Sequence, residues 1–147
     1  MKKTEASHLK GYRDMMKFQG KIAIWFYAIA IIANIMFVKE LLFTKDDTIA
    51  LIIGIVTINI IFIPIIVRNY ILLNSESITV FFGFGKDSMK INEILEVYQT
   101  HNPIASSAAS LDRIVIKSKR SEIMCSVVEK DKLFQELKKI NQDIIFR

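Results

Sequence analysis

The sequence predicts an α+β protein: two transmembrane helices, then a small antiparallel β-sheet or barrel capped by a C-terminal α-helix. Three features lead there. Two long apolar runs carry no charge, a series of short alternating segments is separated by turn residues, and one amphipathic stretch lies near the C-terminus. The divisions that follow are a basic segment over 1–21, a transmembrane helical hairpin over 22–67 with spans at 22–38 and 49–67, and a domain over 70–147.

The first run, IAIWFYAIAIIANIMFV, has 17 residues and the second, IALIIGIVTINIIFIPIIV, has 19. As helices they reach roughly 25 and 28 Å, close to the ~30 Å hydrocarbon core of a bilayer. Lys21, Lys39 and Arg68 flank them and can snorkel to the interface. A strand reading suits the Ile and Val content of the second run, but strands rarely exceed about 10 residues. A cleaved signal peptide needs a small-residue cleavage site after the apolar core, and the first run ends in Met-Phe-Val-Lys-Glu.

The ten-residue link over 39–48 makes the spans antiparallel neighbours. Six basic residues precede the first span and two lie in the link, so the positive-inside rule puts both termini of this multi-pass protein in the cytoplasm. Asn34 and Asn59 are the strongly polar residues of the spans, with Thr57. Counted from the ends of the runs, the two asparagines differ in depth by roughly 9 Å. That spacing predicts bonds to backbone or to Thr57 rather than to each other. Neither run holds Asp, Glu, Lys, Arg or His, which argues against a proton or ion path. Pro64 predicts a kink in the second helix. Over 7–18, Leu9, Tyr12, Met15 and Met16 recur at helical spacing and predict a short interfacial helix, with a frayed basic tail as the alternative because Gly11 and Gly20 interrupt it.

The net charge of +5 and pI near 9.3 are those of many nucleic-acid binders. Their distribution excludes that class. From Arg68 onward twelve basic residues face ten acidic ones, and the excess gathers beside the first apolar run, where basic residues meet lipid headgroups.

Beyond Tyr70, residues 78–84 (ITVFFGF) read as a strand, Gly85-Lys86-Asp87 as a turn, and 88–91 as the start of the next strand. Ile94, Val97 and Tyr98 mark a further short segment. The polar, small-residue stretch 101–110 (HNPIASSAAS) is a loop. Residues 111–118 and 122–127 then form the clearest hairpin, with Ile123, Cys125 and Val127 on one face. Leu133, Phe134, Leu137 and Ile140 form the apolar stripe of the final helix, with Lys130, Lys132, Gln135, Glu136, Lys138 and Lys139 opposite.

Strands followed by a capping helix resemble a pleckstrin-homology (PH) domain. Residues 70–143 resemble more specifically the bacterial PH-like domains of the YyaB-like kind, which also sit behind one or two transmembrane helices. Ile78-Thr-Val with Gly83 fits the second strand, and Ile91-Asn-Glu-Ile fits that family's isoleucine, two residues, isoleucine. Ser106-Ser107-Ala108-Ala109-Ser110-Leu111-Asp112-Arg113-Ile114 fits its serine-rich loop entering a strand, and Glu129-Lys-Asp-Lys-Leu-Phe-Gln-Glu-Leu its closing helix. The family often has Ser-Pro before that helix, where this chain has Val127-Val128, so the helix start differs. These motifs are fold signatures, and none is catalytic.

No catalytic constellation is legible. His8 and His101 are the only histidines, and a metal site needs clustered ligands. Gly83-Phe84-Gly85-Lys86 lacks the spacing and the following helix of a phosphate loop. Cys125 reads as a small buried hydrophobe. No enzymatic activity and no cofactor are expected. The candidate ligand or partner surface is Ser106, Ser107 and Ser110 in the loop, with Lys117, Lys119 and Arg120 at the hairpin tip. The expected partners are the lipid bilayer and either a protein partner or a second copy of the chain, and no nucleic acid. The expected role is a non-enzymatic integral membrane protein presenting a cytoplasmic PH-like binding domain. The alternatives are bacteriocin immunity, suggested by the layout, and lipid headgroup binding by Lys117, Lys119 and Arg120, since eukaryotic PH domains hold phosphoinositides with basic residues near strand ends.

Overall fold

A computed structural model describes residues 15–44, 47–101 and 109–147. In chain order the elements are β1 (Met16–Gln19), α1 (Ile24–Phe43), α2 (Thr48–Val67), β2 (Asn69–Leu73), β3 (Ser77–Phe82) and β4 (Gly85–Lys90). A single 3-10 turn (Ile91–Glu93) leads to β5 (Ile94–Thr100), β6 (Arg113–Ser118), β7 (Glu122–Cys125), α3 (Lys130–Ile140) and β8 (Ile145–Phe146). Two four-stranded sheets result, ordered β1-β2-β3-β4 and β7-β6-β5-β8.

The first strand lies ahead of the helical hairpin. Met16–Gln19 pairs antiparallel with β2, Phe18 opposite Ile71 and Gln19 opposite Tyr70. The interfacial helix expected over 7–18 is therefore wrong for Met16, Lys17 and Phe18, and its first eight residues lie outside those described. The physical reason is Phe18, which at 1% exposure sits in the core among Ile71, Ile78, Val97 and Leu137. A strand turns Phe18 inward while Lys17 and Gln19 face out, and it gives Phe18 a place that a surface helix cannot. β1 is also tied to the other sheet. Gly20 bridges Val127, the Val128 N–H donates to Gln19 O at 3.0 Å, and the Lys21 N–H donates to Ser126 O at 3.1 Å. The domain's fold thus begins before the hairpin rather than at Tyr70, and the hairpin is an insertion between strands β1 and β2.

The core lies between the two sheets and under α3. Ile71, Leu73, Ile78 and Val80 come from the first sheet, Val97, Ile114, Ile116, Ile123 and Cys125 from the second, and Leu133 and Leu137 from the helix. In α3 the apolar residues recur at helical spacing, while Phe134 packs on Phe146 with ring centroids 5.4 Å apart.

Both α1 and α2 are long and apolar enough to cross a membrane. Only Ala30 of α1, and no residue of α2, is buried. α1 runs five residues past the expected end at Val38, because Lys39-Glu40-Leu41-Leu42 are all good helix formers and charge does not stop a helix. This corrects the depth of Asn34. It lies nine residues from Phe43, and Asn59 lies eleven from Thr48, a difference of about 3 Å. The two therefore bond directly, Asn59 Nδ2 donating to Asn34 Oδ1 at 2.7 Å, while each also donates to the carbonyl four residues back, Ala30 and Ile55. Thr57 donates to its own helix at Ile53 O, 2.8 Å away. α2 continues through Pro64 to Val67. Gly54 lets the helices approach, since a Cβ there would stand 2.6 Å from the Phe37 ring.

Candidate functional site

The strand directions give the domain two ends. β2 leaves the hairpin at Asn69 and β3 returns to it at Phe82, where the Gly83 N–H donates to Arg68 O at 2.9 Å. The Thr100/Arg113 end of β5 and β6 lies on the same side, because the Ala23 N–H at the foot of α1 donates to Ala109 O at 2.9 Å. The 73–77 and 118–121 turns and the 3-10 turn form the far end.

This separates the sequence-derived candidates. Ser106 and Ser107 lie outside the described residues. Ser110 is near the hairpin and 3% exposed. Its carbonyl accepts from Arg113 Nε at 2.7 Å and Ser126 Oγ at 3.4 Å, and its hydroxyl accepts from the Asp112 N–H at 3.2 Å. Ser110 is therefore a buried tie between loop and sheet, not part of an open ligand surface. Lys117, Lys119 and Arg120 are exposed at the other end of β6. With Ser118 opposite Ile94 and Arg113 opposite Thr100, five strand steps of ~3.3 Å put the basic turn about 17 Å beyond Arg113. Ser110 and the basic turn do not converge.

The turn itself is rigidly built. Ser118 Oγ donates to Ser121 O at 3.0 Å and accepts from the Arg120 and Ser121 N–H groups. Lys119 and Arg120 line a cleft of about 410 Å³ with Asn92, Glu93 and Leu95. Asn92 also lines a second cleft of about 870 Å³ with Glu76, Ser88, Lys90, Asn141 and Asp143. Both open at the far end and carry mixed charge.

Other chemistry is sparse among the described residues. No group of His, Cys, Asp and Glu there could hold a metal ion. Cys125 is fully buried, and desolvation of its thiolate pushes the thiol pKa up to about 12. Asp112 bridges Lys130 at the start of α3 and Lys21 at the foot of α1, the latter at 2.7 Å. Hydrogen bonds from Lys130 first and Lys21 second hold its carboxyl below the ordinary 3.8.

Sequence reasoning missed a second cluster, on the outward face of the first sheet beside the hairpin. Tyr70 and Phe81 stack with centroids 4.8 Å apart. Lys17 lies 4.2 Å from the Tyr70 centroid, with Arg68 and Lys86 4.9 and 5.7 Å from that of Phe81. The three cations come from segments far apart in sequence, and only the register Tyr70–Phe81–Lys86 gathers them.

Two four-stranded sheets around one core, closed by a C-terminal helix, define a small α+β domain. The match to a family profile is specific: the bacterial PH domain family covers residues 68–141. That is half of the chain, and the chain belongs to this family. The matched region starts just before β2 and ends just after α3, so β1 and β8 fall outside it. No curated relative and no solved structure matches the chain.

Proposed function

We propose that the protein is a non-enzymatic binding module anchored in the bacterial cell membrane by α1 and α2, with both termini and the PH domain in the cytoplasm. The insertion of the hairpin between β1 and β2 carries this reading. A sheet whose first two strands flank the hairpin can form only with both strands on one side of the bilayer. The helices are apolar nearly all round, and among the described residues almost none of either is buried, which is the pattern of helices solvated by lipid. The excess of basic residues ahead of α1 over those in the outer link supports the cytoplasmic side.

On this reading the far end of the domain faces the cytosol. Its clefts, with Lys119, Arg120, Asn92 and Glu93, suit a protein partner of mixed charge or a second copy of the chain. The basic turn points away from the bilayer, so it serves partner contact better than headgroup contact.

Two measurements test this. On a Cys125→Ala background, a membrane-impermeant maleimide added to intact cells should label Thr44→Cys and spare Lys119→Cys until the cells are lysed. Labelling of Lys119→Cys in intact cells, or release of the protein by alkaline carbonate, would overturn the anchoring. A photocrosslinking residue at 92 or 119 should give a discrete adduct that the same residue at Glu136 does not. Equal adducts from both positions would remove the far end as the partner surface.

A further inference from the structure

We propose that the protein binds one anionic phospholipid of the facing leaflet, its phosphate between Arg68 and Lys86 and an acyl chain in the groove between α2 and Phe84. The inference rests on the reading that α1 and α2 cross the bilayer, and adds a ligand site to it.

Arg68 is the residue that ends α2, its N–H donating to Pro64 O at 2.8 Å. Its guanidinium is therefore held where the apolar helix stops, at headgroup level. Arg68 Nη1 donates to Gly83 O at 3.2 Å, which aims the group at the β3–β4 turn. Lys86 reaches the same Phe81 ring, and Lys17 extends the row across Tyr70. None of the three cations pairs with a carboxylate among the described residues. A planar guanidinium and an ammonium gathered at one aromatic ring are fitting donors for a phosphodiester.

On the bilayer side of these cations the surface turns apolar. Val56, Ile60, Ile63 and Pro64 of α2 form a groove of about 400 Å³ with Phe84 as its outer wall. Its one polar lining residue, Asn59, is already bonded to Asn34 and Ile55. Phe84 is 75% exposed, and the turn that carries it is fixed. Gly83 has φ 56°, which favours glycine, and it rests against Ile65. A rigid turn that holds a bare phenyl ring away from its own domain is unfavourable in water and favourable in acyl chains.

Cations at one level with an uncovered apolar groove next to them match an amphiphile. A free phosphate leaves the groove empty, and a zwitterionic headgroup adds a further ammonium among three cations. Each Lys or Arg near an anionic lipid surface contributes about fivefold in binding.

The test uses the full chain with Trp25→Phe and Phe84→Trp, which places the only tryptophan at the turn. It is reconstituted in phosphatidylcholine vesicles holding a minor fraction of phosphatidylglycerol, with brominated chains on one lipid or the other. The introduced indole is expected to be quenched by brominated phosphatidylglycerol several-fold more than its share of the lipid dictates. Arg68→Gln with Lys86→Gln should remove that preference, and Lys119→Gln with Arg120→Gln should leave it. Soluble glycerol phosphate should not displace it. Quenching in proportion to lipid share, a preference that survives loss of Arg68 and Lys86, or displacement by glycerol phosphate would each overturn the site. Carbonate extraction of the same samples separates the failures: protein that stays embedded yet shows no preference refutes this site alone, and protein that is extracted refutes the anchoring beneath it.

Discussion

Phe18 gives the sharpest handle on the inserted hairpin. It lies about fifty residues ahead of the region the family profile recognises, yet it is 1% exposed and part of the central core. Truncating a fully buried Phe to Ala destabilises by roughly 3–5 kcal/mol. For a domain of this size each kcal/mol moves Tm by about 4–8 °C, so Phe18→Ala should lower it by roughly 12–40 °C. Gly20 and Asn69 are neighbours across the β1–β2 pair, the Gly20 N–H donating to Asn69 O at 2.9 Å. A two-residue Asn-Gly turn can therefore replace the hairpin, since such turns suit antiparallel neighbours. The resulting soluble chain, residues 15–20 joined to 69–147, should melt cooperatively by circular dichroism. Phe18→Ala should show the full shift, and the exposed neighbour substitution Lys17→Ala should move Tm by no more than a few degrees. A chain of 68–147 alone should be far less stable. Equal stability with and without β1, or a Phe18→Ala shift no larger than that of Lys17→Ala, would refute the placement of β1 in the core.

Three further outcomes are expected. Asp112→Asn should destabilise the domain by about 1 kcal/mol at neutral pH, the scale of a partly exposed ion pair. Because the folded carboxyl is held below the ordinary 3.8, its contribution is fully present above that pH and is lost as the pH falls further, through the lower folded value. The gap between wild type and variant in denaturant melts should therefore close in acid. Asn34→Leu and Asn59→Leu should each weaken the α1–α2 pair, with a coupling of roughly 1 kcal/mol in a double-mutant cycle in detergent; strictly additive effects would remove the direct hydrogen bond. Cys125, buried with its thiol pKa pushed up to about 12, should resist maleimide at pH 8 in the native protein and react once the chain is unfolded in SDS.

Much of the fold was legible. Two charge-free runs, the alternation around Ile114, Ile116, Ile123 and Cys125, and the Leu133/Leu137 stripe each report burial through a period that one segment shows by itself. β1 was not legible, because four residues offer almost no period and their partner strand lies some fifty residues later. Gly20 and the charged flank made Phe18 look like the edge of a tail. The Asn34–Asn59 bond was hidden by taking Lys39 as the end of a helix that continues through it. The candidate surfaces divide along the same line. The basic turn at Lys117, Lys119 and Arg120 was visible because its residues are adjacent, whereas Lys17, Arg68 and Lys86 meet only through strand register. Ser110 looked like loop surface from composition, and its burial follows from the contact between the 109–112 segment and the foot of α1, which no local pattern encodes.

Pairing of β1 with β2 across the inserted hairpin should hold in the membrane-bound protein. Lys17 and Leu72 are Cα partners on the outward face, at a separation suited to a disulfide. On a Cys125→Ala background, Lys17→Cys with Leu72→Cys should oxidise in native membranes. With a protease site introduced after Thr44, the two fragments should stay joined on a non-reducing gel and separate on reduction, while Lys17→Cys with Ser88→Cys, three strands apart, should not link. Free fragments from the Lys17/Leu72 pair under the same oxidation would contradict the insertion and the one-sided membrane anchoring that it supports.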